Sequence, residues 1–263
     1  MPPILVLQKM KSQVVDDRVS YSFLGPGGEI ALHVPSTVQI RDTGRRFCVS
    51  CGRQSGKLFG QGFCYPCFKN SPENAECIIR PELCRAHLGE GRDPDWERRH
   101  HNQPHHVYLA NSGGLKVGVT RETQVPTRWI DQGASSAAVL ATTPNRYWSG
   151  VIEVELKQFL SDKTNWQRML KGQDPDIDLS DIHHRVQALS RPEWAGFLHM
   201  EAEVVTLRYP VIQYPESVKS IKLDTSPTIT GELAGIRGQY LMFTDNRVLN
   251  IRNHSGYEVE LTV

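Results

Sequence analysis

The string CVSCGRQSGKLFGQGFCYPC constrains this chain more than any other: two CxxC pairs, Cys48/Cys51 and Cys64/Cys67, with twelve residues between them. A tight CxxC turn aims two thiolates at one point, and two such turns supply the four soft ligands of a tetrahedral zinc ion. All six cysteines fall between Cys48 and Cys84, and the rest of the 263 residues contain none. Thiols clustered in this way hold metal in a reducing compartment, where disulfides are rare. The opening MPPILVLQKMKSQ shows no basic leader, long apolar run or small-residue cleavage site, so a cytoplasmic location is expected. A closed four-cysteine site leaves no open coordination position and is therefore structural.

A second group, CIIRPELCRAH, offers Cys77, Cys84 and His87. Cys84 and His87 stand three apart, as on one face of a helical turn. The fourth ligand would come from His100, His101, His105, His106 or elsewhere. Two readings stand side by side: a second structural zinc, or cysteines that simply pack. An iron–sulfur cluster competes with zinc at either group.

Thirty Lys plus Arg against twenty-nine Asp plus Glu exclude a bulk polycation that binds nucleic acid by charge alone. No window approaches the roughly 18 consecutive apolar residues of a membrane span, so no membrane partner is expected. Residues 41–130 hold fourteen basic and nine acidic residues, an excess that metal-bound thiolates would nearly cancel. Arg45, Arg46, Arg53, Lys57 and Lys69 surround the CxxC pairs and suit either phosphate contacts or a solvated face.

The periodicities predict an α+β chain. An N-terminal β segment (1–44) has VSYSFLG and EIALHV around a GPGG turn, then STVQIR. A zinc-ribbon-like module (45–88) and a polar linker (89–105) anchored by Trp96 follow. In 106–172, HVYLA and LKVGVT flank NSGG as a hairpin. A helix from Pro126 through Leu140 comes next, with Trp129, Ile130, Ala137, Ala138 and Leu140 as core. PNRYWSG interrupts it before a second helix over 151–160, and TNWQRML is a third, capped by Thr164. The C-terminal 173–263 opens with DPDIDLSD as a loop and IHHRVQAL as a helix. It is otherwise β-rich, its YLMFT–DN–RVLNI hairpin closed by a tight primed turn. The simplest arrangement joins the two terminal β segments in one structure with the centre inserted.

The unit beginning HVYLANSGGLKVGVTRETQVPTRWIDQG resembles the GIY-YIG nuclease superfamily, in the branch whose second motif begins with Lys. VYL (107–109) is similar to the first motif and KVG (116–118), followed by Thr120, to the second. Arg128 stands where the helical arginine is expected. Glu153 is the candidate for the metal-binding glutamate, with Glu155 its competitor. CYPCF, VYLA, VGVTR, RWIDQGA and DKTNW also resemble an uncharacterised bacterial and archaeal family of unknown function, over most of the length.

The nuclease resemblance implies an α/β core that hydrolyses phosphodiesters in DNA or RNA. Mg²⁺ or Mn²⁺ at Glu153 would bind a phosphate oxygen, Arg128 would hold phosphate oxygens, and Tyr108 would position water. The chain departs from the efficient nucleases by carrying Lys116 in place of tyrosine and Val119 in place of lysine. Catalytic candidates are thus Tyr108, Lys116, Arg128 and Glu153; the alternative is a non-catalytic, zinc-containing module that binds nucleic acid or protein on a degenerate nuclease scaffold. Trp129, Trp148 and Trp166 are expected to pack. The His100/His101, His105/His106 and His183/His184 pairs read as surface or linker. No Ser–His–Asp set, P-loop or GxGxxG is present.

Overall fold

The computed structural model describes residues 2–160 and 165–263. Along the chain the strands are β1 (Ile4–Val6), β2 (Lys11–Val15), β3 (Arg18–Gly25), β4 (Gly28–Leu32), β5 (Thr37–Arg46), β6 (His105–Asn111), β7 (Leu115–Arg121), β8 (Ser136–Thr143), β9 (Val204–Thr206), β10 (Lys219–Ile221), β11 (Thr228–Arg237), β12 (Tyr240–Phe243), β13 (Arg247–Asn250) and β14 (Tyr257–Thr262). The helices are α1 (Tyr65–Asn70), α2 (Pro94–His100), α3 (Thr127–Asp131), α4 (Arg146–Leu156), α5 (Trp166–Leu170), α6 (Leu179–Gln187) and α7 (Pro192–Ala195). None is long and apolar enough to cross a membrane. The chain divides into two compact units, one of residues 1–69, 170–172 and 208–263, the other of 70–169 and 173–207.

The first unit is β-rich. Its seven-stranded sheet runs β1-β14-β5-β11-β12-β13-β10, antiparallel except for the β13–β10 pair. β5, from the first fifth of the sequence, lies between β14 and β11, so both ends of the chain share one ladder. Val38, Ile40, Leu233, Leu241, Val259 and Leu261 bury the alternate positions these strands turn inward. β2, β3 and β4 form a separate antiparallel sheet. Asp16 and Asp17, both at positive φ (47° and 66°), make the two-residue turn between β2 and β3. The ten-residue β11 is hard to see in TITGELAGIR, because glycine breaks the alternation. Gly231 and Gly235 leave room for Phe243 and Met242 from the neighbouring strand. The expected primed turn after Phe243 is instead a three-residue loop, with Asn246 at φ 69° and its N–H bonded to Phe243 O at 3.1 Å.

The second unit is built on the antiparallel sheet β7-β6-β8-β9. Every residue of β6 is buried, as a central strand covered on both faces requires. Val107, Leu109, Val117, Leu140, Ile152, Leu156, Leu179, Val186 and Trp194 form one core, joining the sheet to α4, α6 and α7.

Three sequence expectations change here. The helix from Pro126 stops at Asp131, and Ala137, Ala138 and Leu140 are buried in strand β8. Gly133 is the reason: at φ 68° it ends the helix, its N–H bonded to Ile130 O at 2.8 Å, and the chain turns back to pair with β6. PNRYWSG does not interrupt a helix but starts one, Asn145 Oδ1 capping α4 by accepting from Trp148 N at 3.2 Å. The expected linker contains α2, capped by Asp93. Thr164, the expected cap of the third helix, lies outside the described residues.

Candidate functional site

Among the described residues, two groups bring metal-ligating atoms within 4.8 Å of one another. The first is Cys48, Cys51, Cys64 and Cys67, in the first unit. Cys48 leaves the end of β5 and turns at once: Gly52 N–H bonds Cys48 O, and Cys48 N–H bonds Arg53 O, both at 2.9 Å. Gly52 sits at φ 71°, a left-handed conformation that glycine adopts without the cost a Cβ brings. Phe59 and Phe63 then pair across a short hairpin, and Cys64 and Cys67 open α1, where Phe68 N–H bonds Cys64 O at 2.8 Å.

Cys51 Sγ and Cys64 Sγ are 3.8 Å apart. A tetrahedron with Zn–S bonds of about 2.3 Å has edges of about 3.8 Å, so the donor set fits zinc. Burial resists ionisation of Cys48, but backbone N–H groups of Cys51, Cys64 and Ser50 outweigh it and draw the thiol down to about 6. Burial and the neighbouring thiols push Cys67 up to about 12. Four sulfurs this close cannot all carry charge alone; a divalent cation removes that conflict.

The second group is Cys77, Cys84, Glu97 and His101, in the second unit. Cys77 lies in the 3-10 turn 76–78, and Cys84 caps the turn 81–83. Glu97 and His101 stand four apart, at the end of α2. Cys77 Sγ is 3.8 Å from His101 Nδ1. Glu97 Oε2 is buried and also faces His101 Nδ1. Hydrogen bonding to Cys77 overcomes burial and lowers the Cys84 thiol to about 4, while Cys84 and burial raise Cys77.

The sequence-derived ligands Cys77 and Cys84 thus come together, but His87 lies outside this group. Cys84 is extended (ψ 129°), so residues 84–87 are not one helical turn and the three-residue spacing no longer shares a face. The His87 ring packs on Tyr147 instead, with centroids 4.8 Å apart. His101 was among the candidates for a fourth ligand. Glu97 was missed, although Asp93-Pro94 is a helix-start signal and Glu-x-x-x-His a one-face spacing. The two cysteine groups, read as one module, fall in different units.

The four catalytic candidates all lie in the second unit. Tyr108 in β6 pairs with Gly118 in β7, and Ala110 with Lys116. The period of two therefore places Tyr108, Lys116 and Gly118 on one face of the sheet. Tyr108 is fully buried, its hydroxyl accepting from Gln132 Nε2 at 2.7 Å and its ring edge-on to Trp129. Burial raises the phenol pKa and the Arg128 charge opposes the rise. Glu153 on α4 is buried too, which raises its carboxyl pKa; Lys157 at 3.4 Å, Lys116 and Arg146 pull it back. Tyr108 thus feels the charges of Arg128 and Glu153, and Glu153 that of Lys116. Glu155 points elsewhere, accepting from Trp194 Nε1 at 2.8 Å and pairing with Arg191 at 3.2 Å. Trp129 packs on Tyr108, and Trp148 on Phe197.

His101, His105, His106 and His183 are buried, whereas His184 is exposed and His100 half-buried. His101 joins the second metal group, His105 and His183 are fully enclosed, and His106 bonds Thr142 Oγ1 through Nδ1 at 3.0 Å.

A family model described as "Protein of unknown function (DUF2797)" matches residues 36–259. No curated protein and no solved structure matches the chain.

Proposed function

The chain belongs to this family of unknown function, and from that premise we propose that it is a zinc-stabilised protein acting on nucleic acid, as a divalent-metal-dependent phosphodiesterase. The observation that supports the reading is that Tyr108 and Lys116 share one face of the β6–β7 ladder, with the Arg128 charge acting on Tyr108 and the Lys116 charge on Glu153. The resemblance to GIY-YIG nucleases names the same four residues. Lys116 and Arg128 would hold phosphate oxygens of DNA or RNA; the arginine fork stays charged at any working pH. Glu153 would hold Mg²⁺ or Mn²⁺, a hard cation that keeps several waters and supplies charge to the phosphate. Its single carboxylate suffices where substrate oxygens complete the shell. Thiols kept reduced for the metal suit a cytoplasmic protein.

The test incubates purified protein with labelled DNA and RNA in the presence of Mg²⁺ or Mn²⁺. Strand scission lost in Glu153→Gln and Arg128→Ala is the expected result. Cleavage unchanged in both variants would remove the assignment.

One observation favours a second reading, the non-catalytic binding module. The Tyr108 hydroxyl is enclosed and engaged by Gln132, away from any water it would have to position. Under this reading nucleic acid binds without divalent cation and is not cut, and affinity falls with salt. An affinity independent of salt would point to a protein partner.

A further inference from the structure

We infer that Cys77, Cys84, Glu97 and His101 form a second zinc site with two sulfur, one nitrogen and one oxygen donor, and that Arg146 is the positioning residue that balances its charge and ties it to α4. The inference does not depend on what the protein does to nucleic acid.

The donor set comes first. Cys84, Glu97 and His101 are each no more than 3 % exposed. The Glu97 carboxylate, the His101 ring nitrogen and the two sulfurs crowd their electron pairs around one buried point, an arrangement that a cation stabilises. Thiolate, imidazole and carboxylate donors together suit a borderline divalent ion such as zinc, and four ligands close the coordination shell. The site is therefore structural.

Charge is the second argument. Two thiolates, one carboxylate and a neutral imidazole around a divalent ion leave one net negative charge, in a place nearly closed to water. Arg146 supplies one positive charge beside it. Its Nε donates to Cys77 O and its Nη2 to Ile78 O, both at 2.9 Å. Its backbone N–H donates to His101 O at 2.9 Å. One residue thus fixes the main chain of two ligands from different segments, as outer-shell partners of metal sites do.

The third argument is mechanical. Gly150, one turn beyond Arg146, packs so closely that a Cβ there would lie 2.2 Å from Glu82 N and 2.4 Å from Pro81 C. Arg146, Gly150 and Glu153 follow the i, i+4, i+7 stripe of α4. The face of the helix that seats the metal segment is therefore the face that carries Glu153.

Metal analysis and cobalt substitution of the full chain test this. The wild type should carry about two zinc ions per chain and a Cys77→Ser/Cys84→Ser variant about one. Two spectroscopically distinct Co²⁺ sites should appear, one rich in thiolate charge transfer and one with weaker bands, the latter absent from the double variant. Arg146→Met should weaken metal binding at the second site by about 10- to 100-fold in chelator competition and leave the four-cysteine site unchanged. Arg146→Lys should recover part of the loss. If the double variant does not fold, the wild-type cobalt titration still decides: saturation at one equivalent, with four-thiolate bands only, overturns the inference. Unchanged metal content in a folded double variant also overturns it, as does a second metal whose affinity ignores Arg146.

Discussion

Gly118 lies directly across the β6–β7 ladder from Tyr108, and the tyrosine ring occupies the space a side chain at 118 would need. A Cβ there would stand 2.5 Å from both Tyr108 Cζ and the hydroxyl. The glycine of KVG is thus the packing partner of the tyrosine of VYL, which gives the two short motifs a physical link.

Gly118→Ala should therefore destabilise the protein by about 1–3 kcal/mol, since the ring sits in a filled core and can move only by displacing Trp129 or Gln132. Urea denaturation reads the loss. Tyr108→Phe, which deletes only the oxygen bonded to Gln132, should cost about 1 kcal/mol.

Gly150→Ala sets two effects against each other. Alanine favours a helix over glycine by about 1 kcal/mol. The new methyl would meet backbone atoms of Pro81 and Glu82, which cannot rotate aside, so overpacking should win by about 1–3 kcal/mol. A variant as stable as the wild type would show that α4 and the 81–83 turn are not held in contact.

Chelation should unfold the segment between Cys48 and Cys67, where metal binding supplies folding free energy. The thermal midpoint is expected to fall by about 10 °C or more, and zinc alone should restore it. Elemental analysis without zinc, or a midpoint indifferent to chelator, counts against the assignment.

His105 predicts an acid limb of stability. Its Nδ1–H donates to Gln103 O at 2.7 Å, and Nε2 is buried without a partner. Burial lowers its pKa to about 3 from 6.5. Between those values the unfolded chain binds the proton and the folded chain does not. The contribution of His105 is thus full above about pH 6.5 and is lost as pH falls toward about 3, with a slope near 1.4 kcal/mol per pH unit. His105→Phe should flatten the curve of unfolding free energy in that window.

Much of the site was legible because its chemistry is local. A CxxC turn needs only neighbouring residues, so Cys48, Cys51, Cys64 and Cys67 could be assigned together from their spacing. The β6–β7 hairpin was equally visible, since alternating apolar runs around NSGG specify it within a few residues. The second metal group was only half legible. Cys77 and Cys84 announced themselves, but Glu97 looked like one charge among many in a polar stretch. An extended Cys84 then turned His87 away from the position its spacing implied.

What the amino-acid order determined by itself was the local geometry: knuckles, hairpins and caps, each closed by hydrogen bonds between near neighbours. Tertiary structure alone decided that β5 pairs with β11 and β14, that the alanines after α3 pair with β6 as a strand, and that Arg146 meets Cys77 and His101. Those pairings join residues far apart in the chain. They depend on which surfaces are buried together, a property of the packed molecule that no short window of sequence contains.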